Sequence, residues 1–99
     1  MATYTIRQTE RFRVWLNALT DMRAKAAILD RLERAAAGNF GDHEPVRDGI
    51  FEMRVHVGPG YRVYYIRRGK EVYVVLCGGA KRTQKADIRL AIRMAAEIG

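Results

Sequence analysis

The sequence predicts an α+β fold: a small antiparallel sheet with an N-terminal helical hairpin and a C-terminal helix, in the order β-α-α-β-β-β-α. Three observations predict it. Residues 50–65 alternate with period two on either side of Gly58-Pro59-Gly60, the pattern of a two-stranded hairpin. Val72-Tyr73-Val74-Val75-Leu76-Cys77 is apolar throughout, as in a strand enclosed by its sheet. Apolar residues at three- and four-residue spacing flank these strands in sequence, as amphipathic helices require.

The elements follow in order. Tyr4 to Thr9 reads as a first strand at a sheet edge. Phe12, Trp15, Leu16 and Leu19 give the stripe of a first helix, and Thr20-Asp21 interrupts it and can cap the next. Ile28, Leu29, Leu32, Ala35 and Ala36 form the second stripe, with Arg31, Glu33 and Arg34 outside it. Gly38-Asn39 ends that helix, because glycine accepts a left-handed exit. Phe40 to Gly49 reads as a polar loop; its Asp42, His43 and Glu44 hint at a metal site, but solvated loop chemistry is the stronger reading without a second ligand cluster. The hairpin follows, then a turn at Arg67-Arg68-Gly69-Lys70, the enclosed strand and a close-packed exit at Gly78-Gly79-Ala80. Thr83 can cap a final helix with Ile88, Ala91, Ile92 and Ala95 on one face. Trp15, Tyr61 and Tyr65 are assigned to the core.

A chain of 99 residues implies a single domain spanning 1–99. No apolar run suits a membrane-spanning helix, and Met1 to Glu10 has no signal-type apolar stretch. The one cysteine, Cys77, reads as a buried, inert thiol. A cytoplasmic setting fits these features, and no membrane partner is expected. The net charge is +7, the pI is near 10.1, and 14 of the 18 basic residues are arginine. That balance is the footprint of a polyanion binder, since the guanidinium fork grips phosphate bidentately and stacks on bases; a solvated surface or an acidic protein partner is the alternative reading.

The hairpin sorts its side chains into two unlike faces. Phe51, Met53, Val55, Val57, Tyr61, Val63 and Tyr65 make an apolar one; Glu52, Arg54, His56, Arg62 and Tyr64 make a polar, cationic one. Arg54 and Arg62 share that face, His56 lies nearer the turn, and Lys81 and Arg82 add two cations at the rim. Four cations around one concavity suit a phosphorane, which carries more negative charge than the ground-state phosphodiester. His56 can move a proton near neutral pH, and it can equally be a surface histidine beside a turn. Glu52 can act as a base, or simply pair with an arginine. Tyr64 can stack on a base or pad the sheet. Lys85, Arg89 and Arg93 continue a cationic stripe along the final helix and offer an RNA-docking surface, or merely an exposed helix face. No phosphate loop, dinucleotide fingerprint, zinc spacing or nucleophile elbow is present. No cofactor and no metal are expected, because RNA supplies its own nucleophile, the 2′-hydroxyl.

Phe12-x-x-Trp15-Leu16, Asp30-Arg31-Leu32, Gly58-Pro59-Gly60-Tyr61-Arg62-Val63-Tyr64-Tyr65 and the run Gly79 to Ile88 resemble the RelE/ParE toxin superfamily. The branch they most resemble is the phage-derived Gp49-like, HigB-type addiction-module killer proteins. The resemblance covers nearly the whole chain. It implies a RelE/ParE-like toxin of a type II toxin–antitoxin pair that enters the ribosome and cuts messenger RNA by 2′-hydroxyl attack on the adjacent phosphate. It also implies a cognate antitoxin, expected to be a small helix-turn-helix protein, through which the pair represses operator DNA. On this resemblance Arg62 contacts the scissile phosphate, Arg54 replaces a catalytic-face lysine, and Lys81 with Arg82 forms the basic pair after the last strand. His56 stands near a basic position. Glu52 departs from a lysine proposed as base, and Ile88 from a C-terminal tyrosine; Asp87 is similar to an acidic residue near the end of HigB-type toxins. Tyr64 or His56 can substitute, and the acid and base stay unassigned. Two other functions suit the same fold: gyrase inhibition of the ParE kind, by binding alone, and a non-toxic DNA-binding co-repressor.

Overall fold

Local chemistry starts and stops each helix. In the computed structural model, which describes residues 3–98, the Thr9 hydroxyl accepts from the Phe12 N–H at 3.1 Å and opens α1 (Glu10–Ala18). The same hydroxyl donates to the Leu76 carbonyl at 2.6 Å, which fastens the helix start to the sheet. Asp21 caps α2 (Met22–Ala36) through the N–H groups of Arg23 and Ala24. That helix ends in a Schellman motif: Gly38, at φ 96°, and Asn39 donate to the carbonyls of Ala35 and Arg34. Met1 and Ala2, part of the segment read as lacking a signal sequence, lie outside the described residues.

The five strands are β1 (Thr5–Gln8), β2 (His43–Arg47), β3 (Ile50–Val55), β4 (Tyr61–Arg68) and β5 (Val72–Ala80). They form one sheet in the order β1-β5-β4-β3-β2. Neighbours pair antiparallel except β1, which runs parallel to β5, so the sheet is mixed. One turn of 3₁₀ helix (Lys81–Thr83) leads into α3 (Gln84–Ile98). The α+β architecture and the helical hairpin are as expected; β2 is an addition inside the segment read as a loop. It lies at the sheet edge, where Pro45 has no ladder donor to lose, and the register shifts between Pro45 and Arg47. Asp48 (φ 51°) and Gly49 (φ 78°) then close a two-residue turn into β3, with Arg47 opposite Ile50.

The sheet carries apolar packing on both faces. On one, Phe12, Leu16, Ile28 and Leu32 of α1 and α2 pack against Met53, Val55, Val63, Tyr65 and Val75. On the other, α3 sets Ala91, Ile88 and Ile92 against Ile50, Tyr64, Ile66, Leu76 and Cys77. This corrects the reading of a wholly cationic second face: only its end beside the Gly58–Gly60 turn is left open. Both close approaches depend on glycine. A Cβ on Gly78 would enter the Trp15 ring, and one on Gly79 would enter the Asp87 carboxylate. Among the described residues no helix is long and apolar enough to cross a membrane.

Cys77 is buried beneath α3, with its Sγ 3.7 Å from the Asp87 carbonyl. Burial, with Asp87 nearby, pushes the thiol up to about 12, so it is protonated at neutral pH. Maleimide at pH 7.5 should leave Cys77 unlabelled in the folded protein and label it in guanidinium chloride. Rapid labelling without denaturant would contradict this packing.

Candidate active site

The ladder between β2, β3, β4 and β5 fixes the site row by row. Glu44, Glu52, Tyr64 and Cys77 stand opposite one another across the four strands. One step nearer the turn, Arg54 pairs with Arg62, and Arg62 with Gly79. Side chains two apart on a strand share a face, so Glu52, Arg54 and His56 project to one side together with Arg62. The two guanidiniums are thus direct cross-strand neighbours, as the alternation predicts.

Their partners were not legible in that pattern. Glu52 is 1% exposed. Its Oε2 accepts from Nη1 of Arg62 at 2.7 Å and from Nη1 of Arg54 at 3.3 Å, and its Oε1 accepts from Gln84 of α3 at 2.9 Å. With both oxygens taken, Glu52 is a tie between two strands and α3 rather than a free base. Arg54 also meets Glu44 Oε1 at 2.6 Å, and its Nε and Nη2 reach Asp42 Oδ1 at 3.1 and 2.9 Å. Asp42 above all, then Glu44, raises the Arg54 pKa further. The expected four-cation concavity is therefore corrected: two guanidiniums meet three carboxylates.

Asp42 also reaches His56, with Nε2 to Oδ2 at 2.6 Å. His56 is exposed, with 73% of its side chain open. Hydrogen bonds from Arg54, then His56, hold the Asp42 carboxyl down to about 2. The sign follows from a depressed acid: the contribution is present above the unfolded value near 4 and is lost as pH falls toward 2. Urea midpoints should fall between pH 4 and pH 2 by more in the wild type than in Asp42→Asn. Parallel curves would rule this linkage out.

Arg31 positions Asp42. It was read as lying outside the second helical stripe, yet it donates from Nη1 to the Arg54 carbonyl at 2.5 Å, and from Nη2 to the carbonyls of Phe40 (3.0 Å) and Asp42 (3.2 Å). Burial lowers its pKa. A Cβ at Gly41, already at φ 61°, would strike this guanidinium. Phe40 stacks on Tyr65, centroids 5.6 Å apart, and anchors the loop from below. The placing of Asp42 thus rests on residues of α2 and the loop that no strand periodicity reveals.

The other candidates fall in different places. Tyr64 is 0% exposed under α3, and its hydroxyl has no hydrogen-bond partner, so the stacking role is corrected: no base can reach this ring here. Burial first, and Glu52 second, raise its pKa. Lys81 and Arg82 leave β5 beside the hairpin turn, with the Lys81 N–H on the Gly60 carbonyl at 3.0 Å. They also border a groove of about 710 Å³ floored by Trp15, Leu19, Pro59 and Tyr61, so Trp15 and Tyr61 are only half-buried core residues. Lys85 and Arg89 lie further along α3, where they line one open pocket together with Lys81 and Arg82 and border a second with Val46 and Arg47 of β2. None of these four cations has an ion-pair partner among the described residues.

This sheet and its three helices match the fold of RelE toxin structures. One similar structure is the toxin–antitoxin complex RelBE2 from Mycobacterium tuberculosis: TM-score 0.65, 25% identity, covering 81% of this chain and 100% of that one. Another is a free-state mutant of the E. coli toxin RelE: TM-score 0.70, 15% identity, covering 92% and 97%. These place the fold in the RelE/ParE superfamily. Residues 14–97 match the family described as phage-derived protein Gp49-like, and the chain belongs to that family. An uncharacterized protein from Haemophilus influenzae is 46% identical over 97 residues, covering 98% of each chain.

Proposed function

We propose that this protein is the toxin of a toxin–antitoxin pair, acting in the cytoplasm as a ribosome-dependent messenger RNA endonuclease. The observation that carries the reading is an exposed imidazole, held by a carboxylate, beside the Arg54–Arg62 pair. Asp42 is acceptor-only, so it fixes the tautomer with the proton on Nε2 of His56 and leaves Nδ1 as an acceptor. In this mechanism Nδ1 takes the proton of the ribose 2′-hydroxyl. The 2′-oxygen bonds to the adjacent phosphorus, and the bond to the 5′-oxygen breaks. The products are a cyclic phosphate and, once protonated, a free 5′-hydroxyl. Arg62, with Lys81 and Arg82 at the rim, neutralises the charge that grows on the phosphoryl oxygens. The similarity to a structure named as a toxin–antitoxin complex supports an antitoxin as partner.

Purified protein added to programmed ribosomes should cut message within the A-site codon. Message left intact at every codon would remove the nuclease reading. One observation favours a second reading: three carboxylates neutralise the two arginines, which suits a toxin that acts by binding DNA gyrase without chemistry. Inhibition of supercoiling together with uncut message would select it.

A further inference from the structure

Arg54 has almost no donor left for a substrate. A guanidinium carries five N–H groups. Its Nε–H and one Nη2 hydrogen go to Asp42, and the two Nη1 hydrogens go to Glu44 and Glu52. A single N–H remains free, whereas a bidentate phosphate grip needs two. Any phosphate that Arg54 holds in this way must displace a carboxylate.

The three carboxylates are not equally displaceable. Glu52 is buried and tied to Arg62 and Gln84. Asp42 also holds His56 and belongs to the loop that Arg31 clamps. Glu44 has only Arg54 as a side-chain partner, at 2.6 Å, and is half exposed on an edge strand. Its position is otherwise unfavourable, because it stands directly opposite Glu52, and like charges across a ladder destabilise it. The contact with Arg54 is what makes an acid tolerable there.

We propose that Glu44 is an affinity-setting residue: its carboxylate occupies the anion seat on Arg54 and competes with RNA phosphate for it. This deepens the nuclease reading and rests on it. When Glu44 swings out to water, one Nη1 hydrogen is freed beside the spare Nη2 hydrogen, and Arg54 joins Arg62 in holding the phosphodiester. The resting site is thereby kept from gripping arbitrary polyanions, despite a net charge of +7. An RNA positioned by other contacts still takes the seat.

The test measures binding of wild type, Glu44→Gln, Glu44→Thr and the charge-matched control Glu33→Gln to a fluorescent 2′-O-methyl RNA oligonucleotide, which lacks the nucleophile, across a salt series. Each phosphate newly neutralised on a single strand steepens the slope of log K against log salt by about 0.7. Both Glu44 variants should bind more tightly and steepen the slope by about that amount, with Glu33→Gln following the wild type. Unchanged slopes in both Glu44 variants, or an equal change in Glu33→Gln, overturns the proposal. Cleavage on programmed ribosomes is measured on the same preparations. Steeper slopes with no cleavage by any protein leave the competition standing and remove the nuclease reading. Cleavage by the wild type with unchanged slopes does the reverse.

Discussion

Arg62→Ala is expected to lower cleavage on programmed ribosomes by about two to three orders of magnitude, the usual cost of removing one donor aimed at transition-state charge. It should also lower stability, because Arg62 is more than a surface cation. Its Nη1 lies 2.7 Å from the buried Glu52, and removal takes away the shorter of the two guanidinium contacts on that carboxylate. Stripping one partner from a buried ion pair costs about 3–5 kcal/mol; Gln84 and Arg54 still hold Glu52, so a loss near about 3 kcal/mol is expected. In a domain of this size that corresponds to a fall in Tm of more than about 10 °C. The double variant Glu52→Gln/Arg62→Ala removes the stranded charge. It should recover most of the Tm and none of the cleavage. Recovery of both would make Arg62 a strut for the fold, and wild-type cutting by the single variant would end its role altogether.

Tyr64→Phe is expected to raise stability. The hydroxyl is enclosed between the sheet and α3 and has no hydrogen-bond partner. An unsatisfied buried polar group costs about 1–3 kcal/mol, and phenylalanine keeps the ring while removing the group that carries the cost. A gain of about 1 kcal/mol raises Tm by about 4–8 °C here. A lower Tm would mean that the hydroxyl finds a partner in solution. Because Tyr64 lies in the row of Glu52, the variant also shows whether the phenol helps hold that carboxylate: if it does not, cleavage stays at the wild-type rate.

The arginine pair was legible because two rules suffice for it. Period two puts Arg54 and Arg62 on one face, and the short Gly-Pro-Gly turn puts them opposite each other. The caps at Asp21 and Gly38 were legible for the same reason: each acts within a few residues of itself. What stayed hidden depends on contacts distant in sequence. Asp42 and Glu44 reach Arg54 from a segment 12 and 10 residues away, and Arg31 reaches its carbonyl from α2. No periodicity couples those positions. Strand β2 was missed because its polar residues mask a ladder whose outer side faces water, although Asp48-Gly49 was a usable hairpin signal. Tyr64 was misplaced because alternation gives a residue's face but not what will cover it. The part of that face hidden beneath α3 is decided by packing between elements far apart in the chain.

Strand β5 lies between β1 and β4, and Thr5 finds its partner only at Val72. During synthesis β1 therefore waits for β5 before it can dock. A product that stops short of residue 72 has a first strand with nothing to pair with and an open flank on the hairpin. Such a fragment cannot close the sheet, and it lacks Lys81, Arg82 and the Gln84 that steadies Glu52. Whatever this protein does to its target, it starts to do only once β5 and the segment that follows it have been made.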